Sequence, residues 1–198
     1  MEDLIEKFHL LPHPEGGFYR ETYRSEQNVL TVVDDDSVDE VVEQQKQQHQ
    51  RERSACTAIY FLISPGNISR LHRIKSDEIW HFYLGSPLTI IEIGKEFLPN
   101  NFKETVLGQD IGKGQLVQCT VKRGTWFGCY PNANADHDDT QSTSSSVMMR
   151  SMSNNIYSFV GCTVAPGFEF KTFEVAASDW APGRDTPLAA EMTAGHRK

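Results

Sequence analysis

From residue 56 to residue 175 the chain repeats one pattern: a short apolar, β-branched run, then glycine or proline. The runs fall at 56–63, 69–74, 78–84, 88–93, 104–107, 115–121, 157–164 and 168–175. Pro65-Gly66, Gly85, Gly94, Pro99, Gly108, Gly112, Gly114, Gly124 and Pro166-Gly167 punctuate them. No interval between runs carries a helical repeat, so parallel strands joined by crossover helices are excluded. Short strands at this spacing close into an antiparallel sandwich or barrel. A further strand is predicted at 18–23, after the turn residues Gly16-Gly17. One short helix is predicted at 3–10, where Leu4, Ile5 and Phe8 share a face and Pro12 and Pro14 stop it.

Two polar stretches separate strands without interrupting any. Residues 34–53 (DDDSVDEVVEQQKQQHQRER) contribute −4 to a net charge of −8, and residues 132–155 contribute −2. Such segments cannot bury enough apolar surface to offset chain entropy, so both are predicted to be disordered loops. The rest makes a single domain over 1–180, with 181–198 a mobile tail. Outside the two loops the charge is nearly balanced, with no basic stripe for a phosphate backbone; nucleic acid is not an expected partner. No run of eighteen apolar residues exists to span a membrane. The acidic start MEDLIEKFHL lacks the apolar segment of a secretory signal, so a cytoplasmic location is expected. Cys56, Cys119, Cys129 and Cys162 form no CxxC pair and read as reduced core residues.

The segment GNISRLHRIKSDEIWHFYLG (66–85) carries the chemistry. His72 and Ile74, two apart, share one strand face; Glu78, Trp80 and Phe82 share the face of the next strand. With Lys75-Ser76-Asp77 as a turn, a hairpin brings His72 and Glu78 together in the interior. Ile79, His81 and Tyr83 then face outward.

The spacing resembles the first cupin motif, G-x5-H-x-H-x(3–4)-E-x6-G, with Ile74 at the second histidine. Residues 122–127 resemble the second motif, with Lys122 at its proline and Phe127 at its histidine. The blocks HPEGGFYRETYRS (13–25), TAIYFLIS (57–64), SDEIWHFYLG (76–85), RGTWFG (123–128) and GCTVAPGFEFKTFEVA (161–176) resemble the cupin-5 group of cupin proteins, in that group's order. The resemblance spans roughly residues 9–177. It implies an all-β cupin jelly-roll barrel, similar in fold to the sugar-nucleotide epimerases of deoxysugar pathways. Cupins often pair through a sheet, so a homodimer is expected.

The four cupin ligand positions hold His72, Ile74, Glu78 and Phe127. Two cannot donate to a metal, so neither metal nor other cofactor is expected. A carboxylate beside an imidazole raises the imidazole's pKa, and a dry wall lowers it; the balance suits His72 to acid–base work with Glu78. The expected function is metal-independent binding of a small polar metabolite, carbohydrate-like, with epimerisation or isomerisation of a sugar or nucleotide-sugar. Tyr60 is one candidate acid; Tyr19 and Tyr23 are others. Arg20 at the barrel mouth would hold a carboxylate or phosphate. Arg24 reads as a surface ion pair. Gln118, within an apolar strand, would present its amide to ligand, and Trp80 and Trp126 would form a stacking wall. Two other readings stay open: a metal-dependent oxygenase or isomerase recruiting His81, and a non-catalytic interaction protein working through 34–53.

Overall fold

The computed structural model describes residues 1–32, 50–64, 67–93, 102–132 and 156–177. Most of both polar insertions, Gly66 of the motif and the tail at 181–198 lie outside the described residues. Helix α1 (Glu2–Phe8) ends at His9, whose left-handed backbone (φ 50°) closes the last turn. Thirteen strands follow among the described residues: β1 (Leu11–Pro12), β2 (Phe18–Arg24), β3 (Asn28–Val32), β4 (Gln50–Ser54), β5 (Thr57–Ile63), β6 (Ser69–Ile74), β7 (Asp77–Gly85), β8 (Leu88–Ile93), β9 (Phe102–Leu107), β10 (Gln118–Val121), β11 (Trp126–Pro131), β12 (Ser158–Ala165) and β13 (Phe173–Val175).

Two antiparallel sheets face each other. One runs β1-β2-β5-β12-β7-β10 and the other β13-β6-β11-β8-β9. Period-two alternation decides what lies between them. Phe61 and Ile63 of β5, Trp80 of β7, Leu88 and Ile90 of β8, and Phe127 of β11 fill the interior. The opposite face of β5 and β12 offers Leu62 and Phe159 to Leu4, Ile5 and Phe8 of α1. The short helix thus covers the outer face of the first sheet. This is the antiparallel sandwich the strand pattern predicts, in the jelly-roll form the resemblance implies.

The segment around His72 folds differently from the predicted hairpin. Strand β6 belongs to the second sheet and β7 to the first. Backbone pairing on β6 is taken by β11 and β13, with His72 opposite both Phe127 and Val175. Backbone pairing on β7 is taken by β12 and β10. Residues 75–76 therefore make a corner between sheets. The buried Ser76 hydroxyl donates to the Pro166 carbonyl at 2.7 Å, and the Asp77 carboxylate accepts from Lys122 Nζ and the Arg123 amide. Strand parity survives, so His72 and Glu78 still face inward, now from opposite walls.

The first polar insertion is shorter than 34–53. Residues 50–53 lie in β4, which pairs with β3 as a separate ribbon. Arg53 is buried and donates to the carbonyls of Pro166 and Gly167. Arg51 pairs with Glu169 at 3.0 Å. These arginines look loop-like in sequence because their partners lie more than a hundred residues away. Two other strands are also shorter than predicted. A 3₁₀ turn (Ile111–Lys113) precedes β10, and another (Phe170–Thr172) precedes β13. All four cysteines are free, with Cys129 and Cys162 buried. No described helix is long and apolar enough to cross a membrane.

Gly16 and Gly17 decide how the N-terminal segment meets the barrel. Their φ values are +120° and +70°, and a Cβ would collide with the carbonyl oxygens of Ile68 and Leu62 respectively. The Arg70 amide donates to the Glu15 carbonyl at 3.0 Å, and Phe18 then enters register opposite Leu62. The segment thereby bridges β6 of one sheet and β5 of the other. Gly16→Ala is expected to lose about 2–4 kcal/mol of unfolding free energy in urea titration, since it adds a backbone clash to an unfavourable φ. A change within about 0.5 kcal/mol, the range of ordinary surface substitutions, would show that the close approach does not matter.

Candidate functional site

A cavity of about 210 Å³ opens between the sheets. Strand β6 supplies His72 and Ile74, β7 supplies Glu78, β12 supplies Cys162, and the N-terminal segment supplies His13 and Glu15. Tyr19, Phe61 and Phe173 form aromatic walls. Glu21, Arg24, Glu169 and the half-exposed Phe170 stand where the cavity meets solvent.

Hydrogen-bond directions fix the protons. His72 Nδ1 lies 2.8 Å from the Arg70 carbonyl oxygen. A carbonyl only accepts, so Nδ1 carries a hydrogen. The other ring nitrogen, Nε2, lies 3.2 Å from Glu15 Oε2. These two atoms are in contact. His72 is 3% exposed and Glu15 5%, and burial disfavours both charged forms. Burial raises the Glu15 pKa, and burial lowers that of His72. Both shifts favour the neutral forms, and the Ser69 hydroxyl donates to Glu15 Oε1 at 2.8 Å. His13 is neutral by the same reasoning. Burial lowers its pKa, and its Nδ1 accepts from the Glu15 amide at 3.3 Å.

Glu78 is poised differently. Burial pushes its pKa up to about 7, with nearby His72 opposing the rise, Glu15 adding to it, and a hydrogen bond from the Cys162 thiol opposing it. The thiol itself stays protonated, its pKa raised chiefly by burial. At neutral pH the cavity thus holds one carboxyl group near its midpoint together with Glu15 and His72, whose neutral forms burial favours.

A family model described as the cupin superfamily (DUF985) matches residues 2–176. The chain belongs to this cupin family. Among solved structures, a hypothetical protein from Leishmania major is similar at 32% identity and TM-score 0.65, over 89% of this chain and 87% of that one. A protein from Shewanella oneidensis is similar at 31% identity and TM-score 0.61, over 90% of this chain and 85% of that one. No functionally curated protein matches the sequence.

The cupin motif implies a metal, which only donor side chains at its ligand positions could hold. Of the four ligand positions, Ile74 lines the cavity as a hydrocarbon, and the Phe127 ring packs 4.1 Å from the His72 ring. His72 directs Nδ1 at a carbonyl and Nε2 at Glu15, leaving neither nitrogen open. His81 lies on the outer face with Nε2 3.2 Å from Thr163 Oγ1. Among the described residues, no three His, Cys, Asp or Glu side chains are grouped to hold a metal ion. The residues present do not fit the metal.

Of the residues singled out from sequence, the cavity of this cupin brings together His72 and Glu78, with Tyr19 on the wall. Tyr60 lies on the outward face of β5, against Phe8 and Phe159. Arg20 is exposed and donates to the Phe8 carbonyl. Tyr23 is exposed because a bulge between Glu21 and Tyr23 reverses the parity of β2; Arg24 takes the inward place. Trp80 points inward but is sealed edge-on by Phe61 and Phe127, so it forms no cavity wall. Gln118 is exposed on edge strand β10, opposite His81. Trp126 carries the Arg73 guanidinium over its ring at 4.9 Å, away from the cavity. Sequence reasoning missed Glu15 and His13. The available signal was an acid directly before paired glycines, a place where backbone can press against a barrel and carry the acid inside.

Glu78 gives this site a testable pH signature. Its folded pKa of about 7 lies above the ordinary 4.5, so the folded state holds the proton more tightly than the unfolded chain. Stability from Glu78 is therefore full below about pH 4.5 and is lost as pH rises through about 7, amounting to about 3 kcal/mol. Glu78→Gln, which cannot ionise, is expected to gain on wild type by about that amount between about pH 5 and pH 8 in paired urea titrations. A difference that does not change with pH would mean Glu78 is not a buried acid.

Proposed function

We propose that this cupin binds a small polar metabolite in the cavity and moves a proton on it without a metal, as an isomerase or epimerase does. The observation that supports this reading is the presence of two proton-active groups, on strands of different sheets, lining one small cavity. Glu78, near its midpoint at neutral pH, is the base that accepts a proton from a substrate carbon. Glu15, whose neutral acid form burial favours and which lies against His72, delivers its carboxyl proton to that carbon from another side, the two forming one acid pair. The carbon is inverted, and the proton has moved from the pair to Glu78. Exchange with solvent through the mouth restores the starting state. A catalytic pKa near the working pH suits this role, since each protonation state is well populated.

The walls agree with the chemistry. Tyr19, Phe61 and Phe173 offer apolar faces to the C–H side of a hydroxylated ring. Ile74 and Phe127 keep the floor dry, which strengthens every charge–dipole contact formed there.

The test is hydrogen exchange at carbon. A panel of monosaccharides, sugar nucleotides and small hydroxy acids is incubated with the full chain in deuterated water and followed by NMR. Deuterium is expected to enter one carbon of a binding compound. His72→Gln and Glu78→Gln are expected to slow that exchange by about 10²–10⁴-fold, with the fold intact by circular dichroism. Unchanged exchange in both variants would remove the acid–base reading. Elemental analysis of tag-free protein gives an independent check. Metal at one equivalent that is lost in His72→Ala would replace this mechanism with a metal-dependent one.

A further inference from the structure

We infer that the ligand of this cavity is an uncharged hydroxylated ring of monosaccharide size, and that phosphorylated, nucleotide-linked and carboxylate forms are rejected. The inference rests on the cavity being the site proposed above and narrows its substrate class.

The first ground is the pairing of charges along the lining. Arg24 is the sole Lys or Arg among the described lining residues. Its Nε and terminal nitrogen grip both carboxylate oxygens of Glu21, at 2.9 and 2.6 Å, and the same terminal nitrogen donates to the Phe168 carbonyl at 3.2 Å. The bidentate grip and the further acceptor leave only the other terminal nitrogen for an incoming anion, and Glu21 already balances the charge. Glu169 across the mouth is surrounded by Arg51, Arg53 and Lys171, at 3.0, 3.7 and 3.2 Å. These three cations are thus engaged with an acid that already stands at the mouth.

The second ground is the interior. The two histidines cannot stand in for a cation. His72 has both nitrogens occupied, by the Arg70 carbonyl and by Glu15. His13 accepts the Glu15 amide at Nδ1, so its hydrogen sits on Nε2, and burial keeps the ring from becoming a cation. The carboxyl groups of Glu15 and Glu78 are both raised in pKa, and a second negative charge beside them raises them further. A phosphate or carboxylate group would be desolvated here with acids as neighbours and no free cation. An uncharged ligand has no such penalty. Its hydroxyl groups find donors and acceptors in Glu78 and the Cys162 thiol.

The third ground is size. About 210 Å³ is below the roughly 300–1,000 Å³ of sites for drug-sized ligands. One sugar ring fits such a volume, and a sugar nucleotide does not fit inside it.

The experiment is calorimetric titration of the full chain with matched probes: aldoses and ketoses, with their phosphate esters, uronic acids, amino sugars and uridine-diphosphate derivatives. At least one uncharged sugar is expected to bind, and more tightly than each of its charged counterparts. Glu21→Gln frees Arg24, so its phosphate or uronate counterpart is expected to gain about tenfold or more in affinity. The inference is overturned if no uncharged sugar binds, or if any charged counterpart binds as tightly. It is also overturned if Glu21→Gln gives no anion gain. Titration reads binding alone, so the proposed chemistry is judged separately. Preference for the uncharged probe without deuterium exchange would end the isomerase reading and leave this one standing. Exchange on a phosphorylated probe would do the reverse.

Discussion

Glu15 and His72 meet in a contact on which the local architecture depends. All polar atoms of Glu15 are engaged: its amide by His13, its carbonyl by the Arg70 amide, and its carboxyl oxygens by Ser69 and His72. Four of these links tie residues 13–15 to β6 or to one another. A buried ion pair in this place would carry a desolvation penalty for each charge. The neutral forms that burial favours avoid that penalty. Removing either partner strands a polar group in a dry interior, which costs more than the bond contributes. The N-terminal segment is thereby part of the barrel wall.

Strands β6 and β7 lie in different sheets, and the corner held by Ser76 and Asp77 joins them, so His72 and Glu78 reach one cavity from strands of both sheets. They are close enough there for each to shift the other's pKa. The sealed layer of Phe61, Trp80 and Phe127 beneath them fixes the depth of the cavity.

The barrel was legible in sequence because strand signals are local. Alternation in TAIYFLI or LTIIEI is read within a few residues, and a glycine or proline marks each end. His72 and Glu78 were legible because parity and spacing are also local. What escaped depended on distant chain. Glu15 reads as a loop acid until Ile68 and Leu62 press on Gly16 and Gly17. The bulge in β2, which exchanges Tyr23 for Arg24, leaves no mark in FYRETYR. Strand β4 reads as solvated because QRERS is polar, and its acceptors at Pro166, Gly167 and Glu169 are more than a hundred residues later.

That last case links the ribbon of β3 and β4 to the site. Gly167 donates its amide to the Ser54 carbonyl at 2.7 Å, and its missing side chain lets Ser54 and Thr57 come close. Arg53 grips the carbonyls on either side of the Pro166–Gly167 peptide. Arg51 and Arg53 hold Glu169, one residue from Phe170 and four from Phe173. The aromatic side of the cavity is therefore positioned by a strand that contributes no residue to its lining. The arginines on β4 also balance the acid at the mouth. A polar ribbon outside the barrel sets both the shape and the charge of what the barrel encloses.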